Sequence, residues 1–292
     1  MRRTSVNRIP LYHVDAFAKE PFEGNPAAVC FLERPYKDGV LRAIAAEMNL
    51  SETAFLQKLE QKPIKDLRSF SLRWFTPKTE VDLCGHATLA TAAVLFHEVR
   101  IPATEVFFET RSGTLTARLH RGRILLDLPS HETTPYHPSK DFLDAIGISD
   151  YVSAHFSEKA GDLLILLQNE ETLRNLKPDF ERMKSIKTGD RMGGVIVTSE
   201  GHAPYDFVSR FFAPWLGIDE DPVTGAAHTV LGPYWSKVLG KNEMLAYQAS
   251  QRGGELTVKV LSHDRVELIG NAVIVSKGEL YLQQHEEARP GD

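Results

Sequence analysis

Two stretches of the 292-residue chain, separated by nearly half its length, repeat one frame. RWFTP recurs as RFFAP, and each is followed by a second motif, DLCGHAT in the first copy and DPVTGAA in the second. Arg73 and Arg210 are 137 positions apart, and so are Cys84 and Asp221. A gap-free offset across both motifs is what gene duplication leaves behind. The chain is therefore predicted to contain two homologous halves that face each other.

The composition bounds the class of protein. Hydrophobic residues make up 42% of the chain and charged residues 25%, which is typical of globular domains, and the length allows two of them. The formal net charge of −5 argues against nucleic-acid binding, which needs a basic surface. The chain has neither an apolar run of about 18 residues nor a signal-peptide core. We therefore expect no membrane contact and a cytoplasmic protein. Cys30 and Cys84 are too few for a disulfide framework.

Alternating and continuous apolar runs predict strands through most of both halves. Two segments, 86–99 and 225–239, predict helices that are apolar on nearly every face and must be enclosed by other elements. The sequence thus predicts an α+β fold of two pseudo-symmetric domains, each a curved mixed β-sheet or open barrel around one hydrophobic helix. The polar, proline-containing stretch after residue 129 separates a first lobe, 1–129, from a second, 130–292, whose closing strands could cross back to the first. The active site is expected in the cleft between the lobes.

Both enclosed helices begin at a glycine-containing motif. Gly85 precedes the first and Gly225 lies at the start of the second, next to Thr224. A helix N-terminus has unpaired N–H groups and a partial positive charge, so it suits a substrate carboxylate. Asp221 could instead be a helix cap and the glycines ordinary turns. The pairing of the two motifs favours a shared site.

Two side chains near these helix starts could move a proton. His86 lies in the first turn of the first helix, where the dipole favours a neutral ring. Glu52 lies between a helix and a strand, and a carboxyl at the mouth of an apolar cleft has its pKa raised by desolvation. A structural core histidine and a surface glutamate are the alternatives.

Three further residues are weaker candidates for the site. Asn25 could reach a ligand from its Gly-Asn-Pro turn, and Gly193-Gly194 could be a tight turn or a nest of backbone donors. Dinucleotide-binding, P-loop and zinc-binding patterns are missing from the sequence, so neither a cofactor nor a metal is predicted.

Four motifs resemble one family. VDAFAKEPFEGNPAAVCFL, NLSETAFL, RWFTPKTEVDLCGHATLATA and GIDEDPVTGAAHTVLGPYW are similar, in this order, to the PhzF-like phenazine-biosynthesis family. The resemblance covers residues 9–285. That family is related to diaminopimelate epimerase and proline racemase and shares their pseudo-symmetric two-domain fold. Its best-understood members are homodimeric, cofactor-independent isomerases that move a proton on the ring of trans-2,3-dihydro-3-hydroxyanthranilate.

The resemblance implies roles for particular residues. Glu52 would be the general acid/base, and His86 and Asp221 would bind and polarise a small carboxylated substrate. The expected substrate contacts are Asn25, Cys84, Gly85, Thr224, Gly225, Ala226, Gly193 and Gly194.

Two departures leave alternatives open. The related epimerases use one cysteine from each half as opposed acid and base, whereas this chain is read as carrying Cys84 at the first position and Asp221 at the second. A Cys84-dependent epimerase or racemase remains the alternative within enzymes, because a helix N-terminus can lower the pKa of a thiol. The family motif D-P-x-T-G-S ends here in Ala226, which loses a hydroxyl. A non-catalytic ligand-binding protein on the same scaffold is therefore the second alternative.

Overall fold

The computed structural model describes residues 5–186, 192–262 and 264–284. Its elements follow one order in both halves of the chain. The first half contains β1 (Ser5–Ala16), β2 (Asn25–Leu32), α1 (Asp38–Met48), β3 (Glu52–Lys58), a 3-10 turn (Ile64–Asp66), β4 (Ser69–Phe75), β5 (Glu80–Val81), α2 (Gly85–Ala93) with a π-helical continuation (Val94–Val99), β6 (Glu105–Thr110), β7 (Gly113–His120), β8 (Arg123–Pro129) and β9 (Thr134–Pro135).

The second half repeats the order of the strands and the enclosed helix. It contains α3 (Lys140–Ile146), β10 (Ser153–Ser157), β11 (Asp162–Leu166), α4 (Glu170–Arg174), α5 (Phe180–Ser185), β12 (Gly194–Glu200), β13 (Phe207–Ala213), a 3-10 turn (Pro214–Leu216), β14 (Ile218–Asp221), α6 (Gly225–Leu239), β15 (Glu243–Gln248), β16 (Gly254–Ser262), β17 (Arg265–Gly270) and β18 (Ala272–Gln284).

Strand pairing is the same in the two halves. In the first, β2 runs parallel to β3, β4 pairs antiparallel with β3 and β5 and parallel with β6, and β6 to β8 form an antiparallel meander. In the second, β11 runs parallel to β12, β13 pairs antiparallel with β12 and β14 and parallel with β15, and β15 to β17 form the meander. The duplication predicted from the sequence is present in the backbone.

Three further pairings join the halves. β8 pairs antiparallel with β17, the long closing strand β18 pairs antiparallel with β1, and the short β9 pairs with β10. Each half therefore ends in a strand that pairs with the opening strand of the other half. The division into lobes at residues 129 and 130 stays a prediction.

Each half encloses one helix. Every residue of α2 is buried, and the helix packs against β1, β2, β3, β7, β8 and β18. Helix α6 packs against β15, β16 and β17 in the same way. Because the buried surfaces of these helices are mostly apolar, burial of their apolar side chains, worth about 1.5–3 kcal/mol for each large one, fixes them at the centre of their sheets. The predicted α+β architecture is confirmed. None of the described helices is both long and apolar enough to cross a membrane, and Cys30 and Cys84 are free thiols.

The repeat contains an insertion that the sequence offset conceals. In the first half, the Arg73 guanidinium holds Glu80 with two hydrogen bonds of 2.7 and 2.6 Å. Arg210 holds Glu220 in the same bidentate way, at 2.7 and 2.9 Å. The two arginines are 137 positions apart, but the two glutamates are 140 apart. The second half therefore carries three extra residues between these partners, where the 3-10 turn Pro214–Leu216 lies.

This insertion changes which residue matches Cys84. Helix α2 begins at Gly85 with Cys84 as its N-cap, and α6 begins at Gly225 with Thr224 as its N-cap. The counterpart of the first-half thiol is therefore a threonine hydroxyl. The expectation that Asp221 occupies the second cysteine position was wrong, because the 137-residue offset ends before the helix starts.

Candidate active site

The N-termini of α2 and α6 meet at the centre of the molecule. A Cβ atom placed on Gly85 would lie 3.3 Å from Cα of Gly225, and one placed on Gly225 would lie 3.2 Å from Cα of Gly85. Because both residues lack a side chain, the two backbones can approach this closely. The first-turn N–H groups of both helices, with their partial positive charge, are therefore concentrated at one place.

A cavity of about 240 Å³ opens at this junction, and both halves line it. The predicted residues that line it from the first half are Glu52, Cys84, Gly85 and His86. From the second half they are Gly193, Asp221, Thr224, Gly225 and Ala226. The structure thus brings nine of the eleven predicted site residues to one cavity. Asn25 and Gly194 lie beside it without lining it.

Glu52 is the first residue of β3, and its side chain is 13% exposed. Burial, and then the negative charge of Asp221, raises the pKa of this carboxyl to about 8, while a hydrogen bond with Cys84 opposes the shift. The carboxyl therefore holds its proton at neutral pH and releases it near pH 8. A group with such a pKa can both donate and accept a proton under physiological conditions.

His86 is held as one neutral tautomer. Its Nδ1 lies 3.2 Å from the amide Nδ2 of Asn25, which offers no lone pair to a ring N–H, so the ring hydrogen lies on Nε2. Burial lowers the pKa of the ring, which keeps it neutral. Nε2 lies 3.4 Å from Oε2 of Glu52 but without hydrogen-bond geometry, and it has no hydrogen-bond partner among the described residues. This N–H is available to a ligand in the cavity.

Asn25 links the halves behind the cavity. Its fully buried amide donates to Oδ1 of Asp221 and to the carbonyl oxygen of Val223, both at 2.9 Å. The Thr224 hydroxyl donates to the other carboxylate oxygen of Asp221 at 2.5 Å. Buried Gln248 accepts from the Thr224 N–H at 2.8 Å and donates to the Asp221 carbonyl at 2.7 Å. Asp221 is thus fixed by three side chains. Asn25 positions residues that line the cavity, and its own contact with a ligand stays a prediction.

Cys84 is a neutral thiol in this environment. Its Sγ lies 3.6 Å from Nδ1 of His86. Burial, and then the charge of Glu52, raises the pKa of the thiol well above its usual value. The donor atoms of Glu52, Cys84 and His86 lie within 4.8 Å of one another, a set that could hold a metal ion. Since the thiolate is the metal-binding form, an ion would have to displace the thiol proton.

The second half contributes residues that the sequence analysis missed. Phe211 lines the cavity, and a Cβ atom on the predicted Gly194 would lie 2.2 Å from Cζ of its ring, so the glycine leaves room for this ring. Asp162, the first residue of β11, also lines the cavity and is only 5% exposed. The acidic residue that opens the apolar run DLLILLQ was the available signal for Asp162. Gln248 gave no signal, because its contacts depend on pairing between distant strands.

Comparisons with known proteins match nearly the whole chain. The family model described as "Phenazine biosynthesis-like protein" matches residues 14–278. The chain is 48% identical over 277 residues to a protein of Halalkalibacterium halodurans named an uncharacterized isomerase, with 94% of this chain and 98% of the relative covered. It is 46% identical over 285 residues to mouse phenazine biosynthesis-like domain-containing protein 1, with 94% and 99% covered.

Solved structures of other proteins share the fold of this chain. A crystal structure of a phenazine biosynthesis protein of the PhzF family from Enterococcus faecalis superposes with a TM-score of 0.85 at 43% identity, covering 94% of this chain and all of the other. A hydroxyproline epimerase from Agrobacterium vitis matches with a TM-score of 0.59 at 12% identity, covering 95% and 93%. The second likeness concerns the fold alone and agrees with the predicted epimerase-like architecture.

Proposed function

This chain belongs to the phenazine biosynthesis-like protein family, and on that premise we propose that it is a cofactor-independent isomerase that moves a proton on a small carboxylate. The observation that carries the proposal is the position of Glu52, whose pKa is raised to about 8, beside the neutral His86 at the junction of two helix N-termini. The isomerase name of the Halalkalibacterium halodurans relative supports the reaction class.

The proposed reaction needs one proton carrier. The substrate carboxylate accepts hydrogen bonds from the first-turn N–H groups that follow Gly85 and Gly225. Ionised Glu52 removes a proton from a carbon near this carboxylate, so that a C–H bond breaks and the carboxyl O–H bond forms. The electron pair is delocalised into the substrate, where the His86 Nε2–H and the helix N-termini stabilise the negative charge. Glu52 then returns the proton to a different carbon, and the double bond shifts without net oxidation.

Deuterium exchange tests this proposal. The protein would be incubated in deuterium oxide with trans-2,3-dihydro-3-hydroxyanthranilate first and then with a panel of unsaturated and hydroxylated ring carboxylates. Mass spectrometry should detect a product with deuterium bound to carbon. In Glu52→Gln, uptake should fall by about 10²–10⁴-fold, the range expected for loss of a general acid/base. Uptake that survives this substitution would remove Glu52 from the mechanism.

A Cys84-dependent epimerase is the second candidate, favoured by the closeness of Sγ to His86 and Glu52. Two observations weigh against it. The raised pKa of Cys84 disfavours the thiolate, and its counterpart at the start of α6 is Thr224, which is no acid or base at neutral pH. Loss of activity in Cys84→Ala with retained folding would favour this candidate over the first.

A ligand-binding protein without activity is the remaining alternative. Ala226, which is exposed to the cavity, lacks the hydroxyl of the family motif. Its backbone N–H is still present, so carboxylate binding does not depend on the missing group. Affinity for carboxylates combined with a complete lack of deuterium uptake across the panel would favour this alternative.

A further inference from the structure

Asp162 is a buried acidic residue in the cavity that the proposed proton transfer does not use. It enters from the second half of the chain and lines the same cavity as Glu52. The neighbouring wall from this half is apolar and includes Phe211, Ala213 and Ile218. With only 5% of the residue exposed, water can hydrate this carboxyl poorly.

The carboxyl of Asp162 lacks a cationic partner among the described residues. Its one described hydrogen-bond donor is the N–H of Gly194, which pairs with it across β11 and β12. Burial raises the pKa of the carboxyl to about 7. An ionised carboxylate in a poorly hydrated site is costly unless a positive group pairs with it. This side of the cavity therefore has room and a negative group but no positive charge.

The duplication shows why Asp162 reaches the cavity. Gly194 and Glu52 are the first residues of β12 and β3, so they hold equivalent positions in the two halves. A Cβ atom on Gly194 would lie 3.0 Å from Oδ1 of Asp162 and 2.2 Å from the ring of Phe211. On the second half, the carboxyl from the neighbouring strand thus occupies space that a counterpart of Glu52 would need. The cavity thus has the carboxyl of Glu52 from the first half and those of Asp162 and Asp221 from the second.

We infer that Asp162 is a specificity-determining residue that binds a protonated amino group of the substrate. The inference deepens the proposed function: the substrate is an amino-bearing carboxylate whose carboxylate lies at the helix starts and whose ammonium group pairs with Asp162. Binding ionises Asp162 and forms a charge-assisted hydrogen bond. Asp162 forms and breaks no covalent bond with the substrate, and Glu52 remains the proton carrier.

Paired probes test this inference by binding alone. The first probe is 2-aminocyclohexanecarboxylate, which carries an ammonium group, and the second is cyclohexanecarboxylate, which does not. Titration calorimetry at pH 7 would compare their affinities for the wild type, for Asp162→Asn and for Glu267→Gln. Asparagine keeps an oxygen that can accept from the Gly194 N–H but removes the charge. Glu267 is the matched control, because it is also buried with a raised pKa but does not line the cavity.

The expected result is a wild-type preference for the amino probe of about tenfold or more. Asp162→Asn should abolish this preference and leave the affinity for cyclohexanecarboxylate unchanged, whereas Glu267→Gln should retain it. Binding of the amino probe to the wild type should also release protons, detected as a dependence of the enthalpy on the buffer, and Asp162→Asn should reduce that release. A wild type that does not prefer the amino probe, including one that binds neither probe, would overturn the inference, as would a preference that persists in Asp162→Asn.

This outcome is separable from that of the proposed function, because binding requires no proton transfer. Lack of deuterium uptake with a normal, Asp162-dependent preference would contradict the isomerase but support the ammonium site. Deuterium uptake without the preference would support the isomerase but contradict the ammonium site.

Discussion

The two halves of the molecule share a backbone plan and differ in their chemistry. Glu52 and Gly194 open equivalent strands, and His86 and Ala226 are the second residues of equivalent helices. The first half therefore supplies the proposed proton carrier and the imidazole, while the second supplies a glycine and a methyl group at the same positions. A proton that leaves and returns on one face needs one carrier, but charge stabilisation benefits from both helix N-termini. Under the proposed mechanism, both halves would therefore bind the substrate and the first half alone would transfer the proton.

The side chain that links the two halves behind the cavity also comes from the first half. Asn25 of the first half holds Asp221 and the carbonyl of Val223 in the second. Asp162 corresponds by register to Ala27, because each lies opposite the first residue of the next strand, so the second half has a carboxyl where the first has a methyl group. The amide nitrogen of Asn25 orients neighbouring groups by donating to them, whereas the carboxylate of Asp162 can only accept and is open to a ligand.

Asn25→Leu should give the largest effect, because it breaks this link. The substitution leaves two buried acceptors, on Asp221 and Val223, without their donor. An unsatisfied buried group costs about 1–3 kcal/mol, so the free energy of unfolding should fall by about 3 kcal/mol, measured by urea denaturation. Asn242→Leu, at an exposed position that accepts one hydrogen bond from Ser236, is the control and should change stability far less. Equal losses of stability in the two variants would mean that the hydrogen bonds of Asn25 stabilise the fold no more than one exposed hydrogen bond does.

Glu52→Asp should lower the rate by about a hundredfold. The variant keeps a carboxyl but withdraws it by about one methylene, and a misplacement near 1 Å can cost about 10²-fold in rate. Initial rates of deuterium uptake measure the effect, with Glu267→Asp as a buried control that does not line the cavity. A rate within a few-fold of wild type would show that the position of this carboxyl in the first half is not critical.

The pH dependence follows from the pKa of Glu52 at about 8. Glu52 acts first as a base, so activity requires its ionised form, and the fraction ionised rises about tenfold per pH unit below 8. The rate should rise by that factor from pH 6 to 7 and level above pH 8. The groups that face Glu52 do not produce this rise: the pKa of His86 is lowered and that of Cys84 is raised well above its usual value. Asp162, with a pKa of about 7, also ionises in this range, and Asp162→Asn separates its contribution. A rate that falls as pH rises toward 8 would contradict Glu52 as the base.

The features of the fold and site that depend on local sequence pattern could be predicted from the sequence. The two apolar helices, their glycine starts and the raised pKa of Glu52 followed from periodicity and desolvation, and the structure places these groups together. The three-residue insertion near Pro214 was missed, because matches as short as R-x-F-x-P cannot locate a gap between them. The buried roles of Asn25 and Gln248 were also beyond prediction, since they depend on contacts between residues about 200 and 25 positions apart. The expectation that a helix N-terminus could lower the pKa of Cys84 was wrong, because burial and the charge of Glu52 outweigh the effect of the helix dipole.

Cys84→Ser should have the smallest effect, and it tests the comparison most directly. It gives α2 a hydroxyl N-cap, so that both helices would begin with a hydroxyl side chain, as α6 already does at Thr224. If Cys84 only packs and donates a hydrogen bond to Glu52, deuterium uptake should stay within about threefold of wild type, because serine can donate the same bond. The pH above which the rate stops rising should also change little, since desolvation is the main cause of the raised pKa of Glu52. A loss of several hundredfold would instead mean that the first half carries two proton carriers, and the Cys84-dependent epimerase would replace the single-carboxyl mechanism.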